Sequence, residues 1–107
     1  MALAEEFLAR EPTRETVDTS RGPLVVEFGA PWCEHCNAAW PHVVAAFADY
    51  PQVPLLKVED GRGKPLGRSF GVKLWPTLVF LRDGVEVERL VRPTARAPIA
   101  AALARIA

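Results

Sequence analysis

The sequence predicts an α/β sandwich, a mixed sheet covered by helices on both faces, and three observations predict it. Leu24-Val25-Val26-Glu27-Phe28 follows the chain break Gly22-Pro23 and is the short, β-branched run expected of a buried central strand. From Cys33 to about Tyr50, Cys36, Trp40, Val43, Val44 and Phe47 recur at three- and four-residue steps, the inward stripe of a helix. Asp83-Gly84 then separates two strand-like runs, a hairpin signal. Strand, helix, strand, hairpin and final helix make an order that a layered sheet accommodates. At 107 residues the chain forms one domain, 1–107, because neither half alone would hold a workable core.

Taken in order, Glu5 to Arg10 suits either a short helix or an edge strand. Thr13 is an N-cap for a short helix running to about Asp18. Pro41 inside the long helix removes a hydrogen bond and predicts a kink. Leu55 to Val58 is a second apolar strand, Glu59 to Gly67 a loop, and Lys64 to Phe70 holds a short helix. Thr77 to Leu81 and Val85 to Val91 are the hairpin strands. Thr94 or Ala97 caps a last helix with Ile99, Leu103 and Ile106 on one stripe, and Pro98 fits its first turn.

Half the residues are hydrophobic and the formal net charge is zero, an ordinary globular balance that gives no broad attraction to nucleic acid or an anionic membrane. No apolar run approaches the roughly 20 residues that span a bilayer. The first residues, M-A-L-A-E-E-F-L-A-R-E, carry acids early and lack the apolar core of a signal peptide, so the expected location is cytoplasmic.

Both cysteines of the chain lie in Cys33-Glu34-His35-Cys36, after a strand and at the opening of a helix. A disulfide there would close too small a loop to stabilise the fold, and structural disulfides rarely persist in a reducing compartment. At a helix N-terminus, unpaired N–H groups and the dipole favour an anion, and the thiolate of Cys33 is the anion available. Cys36, one turn further in, faces the core and is placed to attack a mixed disulfide formed at Cys33. Cys33 is thus the nucleophile and Cys36 the resolving thiol. His35 adds positive charge or a donor beside the thiolate, whereas Glu34 opposes it and can swing into water. Selective thiolate stabilisation of about 1.4 kcal/mol shifts a two-electron couple by about 30 mV toward the oxidising side.

Glu27 is an acid within a strand expected to be buried, and reads either as a carboxylate reaching solvent at the strand edge or as a buried acid moving the Cys36 proton. Trp75-Pro76-Thr77 opens a strand, and X-Pro statistics alone favour a trans bond there.

These stretches resemble the thioredoxin family: Val25 to Cys36, Pro41, Phe70-Gly71-Val72, Trp75-Pro76-Thr77 and the Asp83-Gly84 hairpin, with likeness running from about Thr13 to the C-terminus. The resemblance implies the thioredoxin fold, a three-layer sandwich about a mixed sheet, and a thiol–disulfide oxidoreductase with the Cys33–Cys36 pair as its redox centre and no other cofactor. It implies an edge strand near Phe7 and a cis bond before Pro76, with Trp32, Trp75 and Pro76 at the substrate surface and Trp75 backbone groups pairing with the substrate chain. It implies protein disulfides and a recycling thiol reductase as partners, for a monomer. Within the family, V-E-F-x-A-P-W-C-x-H-C is similar to protein disulfide isomerase domains. Glu34 and the bulky Trp75 depart from the usual residues at their positions. The lysine that pairs with the buried acid in thioredoxins aligns with Leu55, and Lys57 lies two positions further along the same face. The alternative function is a non-catalytic binding module presenting Trp32 and Trp75.

Other features have plainer readings. Trp40 reads as core and His42 as a surface histidine. Gly61-Arg62-Gly63-Lys64 lacks the pattern of a phosphate-binding loop and reads as a turn, although Arg62, Lys64 and Arg68 favour acidic partners. Cys33, His35, Cys36 and His42 cannot all converge on one ion from a single helix, so no metal site is expected. Haem attachment is excluded because Asn37, not histidine, follows Cys36.

Overall fold

The computed structural model describes Leu3 and residues 5–107. Eight elements follow in order: α1 (Arg14–Asp18), β1 (Pro23–Gly29), α2 (Glu34–Phe47), β2 (Leu55–Glu59), α3 (Pro65–Ser69), β3 (Thr77–Arg82), β4 (Val85–Val91) and α4 (Arg96–Ile106). The strands form one mixed sheet in the order β2-β1-β3-β4. β1 runs parallel to β2 and antiparallel to β3, and β3 to β4 is the hairpin.

Because side chains alternate along a strand, β1 sends neighbouring residues to opposite layers. Val25 packs with Leu78 and Phe80 beneath α2 and α4, where Val43, Phe47, Ile99, Leu103 and Ile106 complete one core. Leu24, Val26 and Phe28 join Val79, Leu81, Val17, Leu66 and Phe70 beneath α1 and α3. Both faces of the sheet are therefore covered, giving three layers.

Local chemistry explains most boundaries. The Thr13 side chain accepts from the Thr16 N–H at 3.1 Å and starts α1. Asp83 and Gly84 have φ of 52° and 78°, the pair of positive values that a two-residue type I′ hairpin needs. A Cβ at Gly84 would also run into the Asp18 carbonyl.

Several expectations are corrected. Among the described residues no strand forms near Phe7: the segment bends at Glu6, Ala9 and Arg10, and the Leu8 N–H donates to the Lys57 carbonyl at the sheet edge at 2.9 Å. The helical stripe of α2 is Cys36, Ala39, Val43, Ala46 and Phe47, whereas Val44 is exposed. The helix continues through Pro41. The loop after β2 is shorter than the sequence suggests, since β2 includes Glu59 and α3 includes Gly67. The N-cap of α4 is Ala95, with no side-chain cap bond, rather than Thr94 or Ala97.

Candidate active site

β1 ends at Gly29, and a short turn delivers Cys33 to the N-cap of α2. Its Sγ accepts from the Cys36 N–H at 3.2 Å, so the sulfur occupies the place where a capping oxygen normally satisfies an orphan donor. Cys33 and Cys36 are both free thiols and both buried, with Ala30 and Trp75 packed around them. Burial pushes the Cys36 thiol up to about 12; its contact with Cys33 and the nearby charge of Glu27 add to that rise. Gly29 makes room for this sulfur, because a Cβ there would stand 2.5 Å from the Cys36 Sγ.

Glu27 lies two residues before Gly29, on the same face of β1. It is 2% exposed, so the reading as a solvated strand-edge carboxylate fails. Burial raises its carboxyl above the ordinary range, while the charge of Lys57 pulls it down. In the parallel register Lys57 stands directly opposite Glu27, with Nζ 4.0 Å from Oε2. Lys57, not the position of Leu55, therefore supplies the cation facing the buried acid. Its ammonium also lies 3.6 Å from the ring centre of Trp40 and 4.8 Å from that of Phe7. Trp40 is thus more than plain core, as it covers the buried cation. Glu27 Oε1 has no hydrogen-bond partner among the described residues.

Beside the sulfurs, Trp32, Cys33, Glu34 and His35 line one groove together with Lys73, Leu74, Trp75 and Arg92. Trp32 is 74% exposed and meets Trp75 edge to face, with ring centres 5.5 Å apart. Glu34 and His35 are exposed at the first turn of α2, and Pro76 is buried behind Trp75. The Trp75–Pro76 bond is cis, against the isomer that X-Pro statistics favour. The Trp75 indole N–H donates to Asp60 Oδ2 at 2.9 Å, and the Trp75 carbonyl accepts from Arg92 Nε at 2.9 Å. Larger hollows of about 490 and 660 Å³ lie elsewhere, and neither is lined by a cysteine, so size alone would misplace the site.

Of the residues singled out from sequence, the groove gathers Trp32, Cys33, Glu34, His35 and Trp75, while Cys36 and Glu27 lie beneath it. Sequence reasoning missed Asp60, Lys73 and Arg92, which come from three separate loops and carry no local signal beyond charge. Among the described residues no group of three or more His, Cys, Asp and Glu side chains is placed to hold a metal ion.

A family model described as Thioredoxin matches residues 6–105. The chain belongs to the thioredoxin family. A solved structure of thioredoxin 2 from Pseudomonas aeruginosa PAO1 in its reduced form is 55% identical, with a TM-score of 0.81, covering 90% of this chain and 89% of that one. A thioredoxin of Chlamydia muridarum is 39% identical over 70 residues, 65% of this chain and 69% of that protein. Protein disulfide-isomerase A2 of Pongo abelii is 46% identical over 65 residues, 57% of this chain. The chain spans only 12% of that isomerase and 12% of a second one from rice. The thioredoxin family model therefore spans nearly all of the chain, whereas the chain spans only a small part of those isomerases.

Proposed function

We propose that the chain catalyses thiol–disulfide exchange with protein disulfides. The observation that carries this reading is Cys33 Sγ at the N-cap of α2, accepting from the Cys36 N–H, with the Cys36 thiol held protonated one turn behind it. The Cys33 thiolate attacks one sulfur of a substrate disulfide; a mixed disulfide forms and the other substrate sulfur leaves as a thiolate that takes up a proton. Cys36 then gives up its proton toward Glu27, and its sulfur attacks the Cys33 sulfur. The second substrate thiol is released, the substrate has gained two electrons, and Cys33–Cys36 is oxidised. A thiol reductase returns the pair to the dithiol.

Each residue has a task in this scheme. The raised Glu27 carboxyl serves as proton acceptor, and Lys57 limits how far burial raises it. Trp32 and Trp75 hold the substrate segment, and Glu34 and His35 tune the potential in opposite directions. A module that only bound partners would have no use for an acid buried beneath its second cysteine. Both cysteines belong to the site, leaving none for a structural staple, as suits a monomer working in a reducing cytoplasm.

Reduction of a protein disulfide tests the reading. Cys33→Ser is expected to abolish turnover, and Cys36→Ser to accumulate a mixed disulfide visible by non-reducing electrophoresis. Wild-type turnover in Cys33→Ser would overturn it. The equilibrium potential against glutathione then sets direction: a value near about −270 mV assigns the chain to reduction, and one near about −180 mV to isomerisation or oxidation.

A further inference from the structure

Two of the residues that line the groove from outside α2 are cations. Lys73 and Arg92 line it beside Cys33. Lys73 also borders an adjoining hollow that contains Lys64 and Arg68. None of these four side chains has an ion-pair partner within 4.0 Å among the described residues, unlike Arg14, Lys57, Arg89, Arg96 and Arg105. The carboxylates lining the same two hollows are Glu34 and Asp60, and Asp60 is engaged by the Trp75 indole. Four cations against two carboxylates is a local excess on a chain whose formal net charge is zero.

Arg92 gives this excess an orientation. Its backbone has φ of 51°, a conformation that costs a side-chain-bearing residue free energy unless its surroundings hold it. Two bonds hold it: Arg92 N–H to the Pro76 carbonyl at 2.8 Å, and Arg92 Nε to the Trp75 carbonyl at 2.9 Å. With Nε so used, the terminal nitrogens of the guanidinium donate to no protein group among the described residues. They form the planar fork that takes a carboxylate in two parallel hydrogen bonds.

We propose that the groove selects protein segments carrying Asp or Glu beside the cysteine to be reduced, with Arg92 and Lys73 as the specificity-determining residues. The occupant is an extended acidic segment of a substrate protein. Its carboxylates meet Arg92 and Lys73, and acids further along reach Arg68 and Lys64. This inference rests on the exchange chemistry proposed above for its biological sense, but its binding part is testable without it.

The probes are short peptides with serine in place of cysteine, flanked on both sides by glutamates or by lysines, titrated against the full chain by tryptophan fluorescence. At low salt the acidic peptide is expected to bind on the order of tenfold more tightly. That preference shrinks as about 0.5 M salt shortens the screening length to a few ångströms. Lys73→Gln and Arg92→Gln are each expected to weaken the acidic peptide by about two- to fivefold, the range of one exposed ion pair, while Arg92→Lys retains most of the preference. Lys73 is an exposed side chain, so its variant tests the proposal even where Arg92→Gln does not fold. Equal affinities for the two peptides, or a preference unaltered by salt and by Lys73→Gln, would overturn the inference. Cysteine-containing versions, disulfide-linked, separate the two readings. Acid-selective binding without reduction upholds the groove's selectivity and removes the exchange reading, whereas reduction indifferent to the flanks does the reverse.

Discussion

Glu27 and Phe28 are neighbours on β1 and point to opposite layers of the molecule. Phe28 enters an apolar core, against Phe70 at 5.7 Å between ring centres, and lies outside the candidate site. Glu27 is as deeply buried, yet it sits 4.0 Å from a single ammonium and leaves one oxygen without a partner among the described residues. Desolvating two charges costs several kcal/mol each, and their attraction at this separation does not reliably repay it. One strand thus carries a packing residue beside the residue that the proposed exchange uses as its proton acceptor, and the two are expected to respond oppositely to substitution.

On the apolar side the expected effect is a large one on stability. Phe28→Ala is expected to lower unfolding free energy by about 3–5 kcal/mol in urea titrations, while turnover per folded molecule stays near wild type. A large loss of turnover in folded Phe28→Ala would break the contrast.

On the other layer, the double replacement Glu27→Leu with Lys57→Met is expected to raise stability at neutral pH by about 1–4 kcal/mol, since apolar side chains then remove both members of the buried pair, whereas Glu27→Leu alone strands the Lys57 ammonium. The double variant is also expected to slow the resolving step about a hundredfold, seen as a longer-lived mixed disulfide. The two readouts moving the same way would contradict the division between layers.

The pH dependence sharpens the same point. A carboxyl whose value is raised in the folded state keeps its proton after the unfolded chain has lost it. The stability it contributes is full below the unfolded value of about 4.3 and falls as pH climbs toward the raised folded value. The gap in melting temperature between that double variant and wild type is therefore expected to widen from about pH 4.3 upward and then level off. Taking the difference between the two proteins cancels other groups, such as Glu86, whose carboxyl is held low by its hydrogen bond to Arg89.

The smallest effect concerns α2, which covers the Glu27 layer. Val44 fits the apolar rhythm but is exposed, so Val44→Lys is expected to change stability by no more than about 0.5 kcal/mol, whereas Val43→Lys places a charge in the core and unfolds the chain. Urea titration of the pair checks whether the inward stripe lies where the structure puts it.

What the sequence by itself determined is what nearest neighbours along the chain decide. Thr13 caps α1, Asp83-Gly84 turns the hairpin, β1 is read from its β-branched run, and the strand–C-x-x-C–helix order places Cys33 at an N-terminus. Each depends on a few consecutive residues and on backbone chemistry that needs no distant partner. Tertiary structure decided the rest. Lys57 faces Glu27 because β1 and β2 pair in one register, and a shift of two residues would have put Leu55 there. The segment around Phe7 meets β2 through the Leu8 N–H bond to the Lys57 carbonyl and through the Phe7 ring, 4.8 Å from the Lys57 ammonium, contacts that no local pattern encodes. Arg92 and Lys73 reach the groove of Cys33 from loops far along the chain, a meeting that no local pattern encodes because it exists only once the sheet has closed.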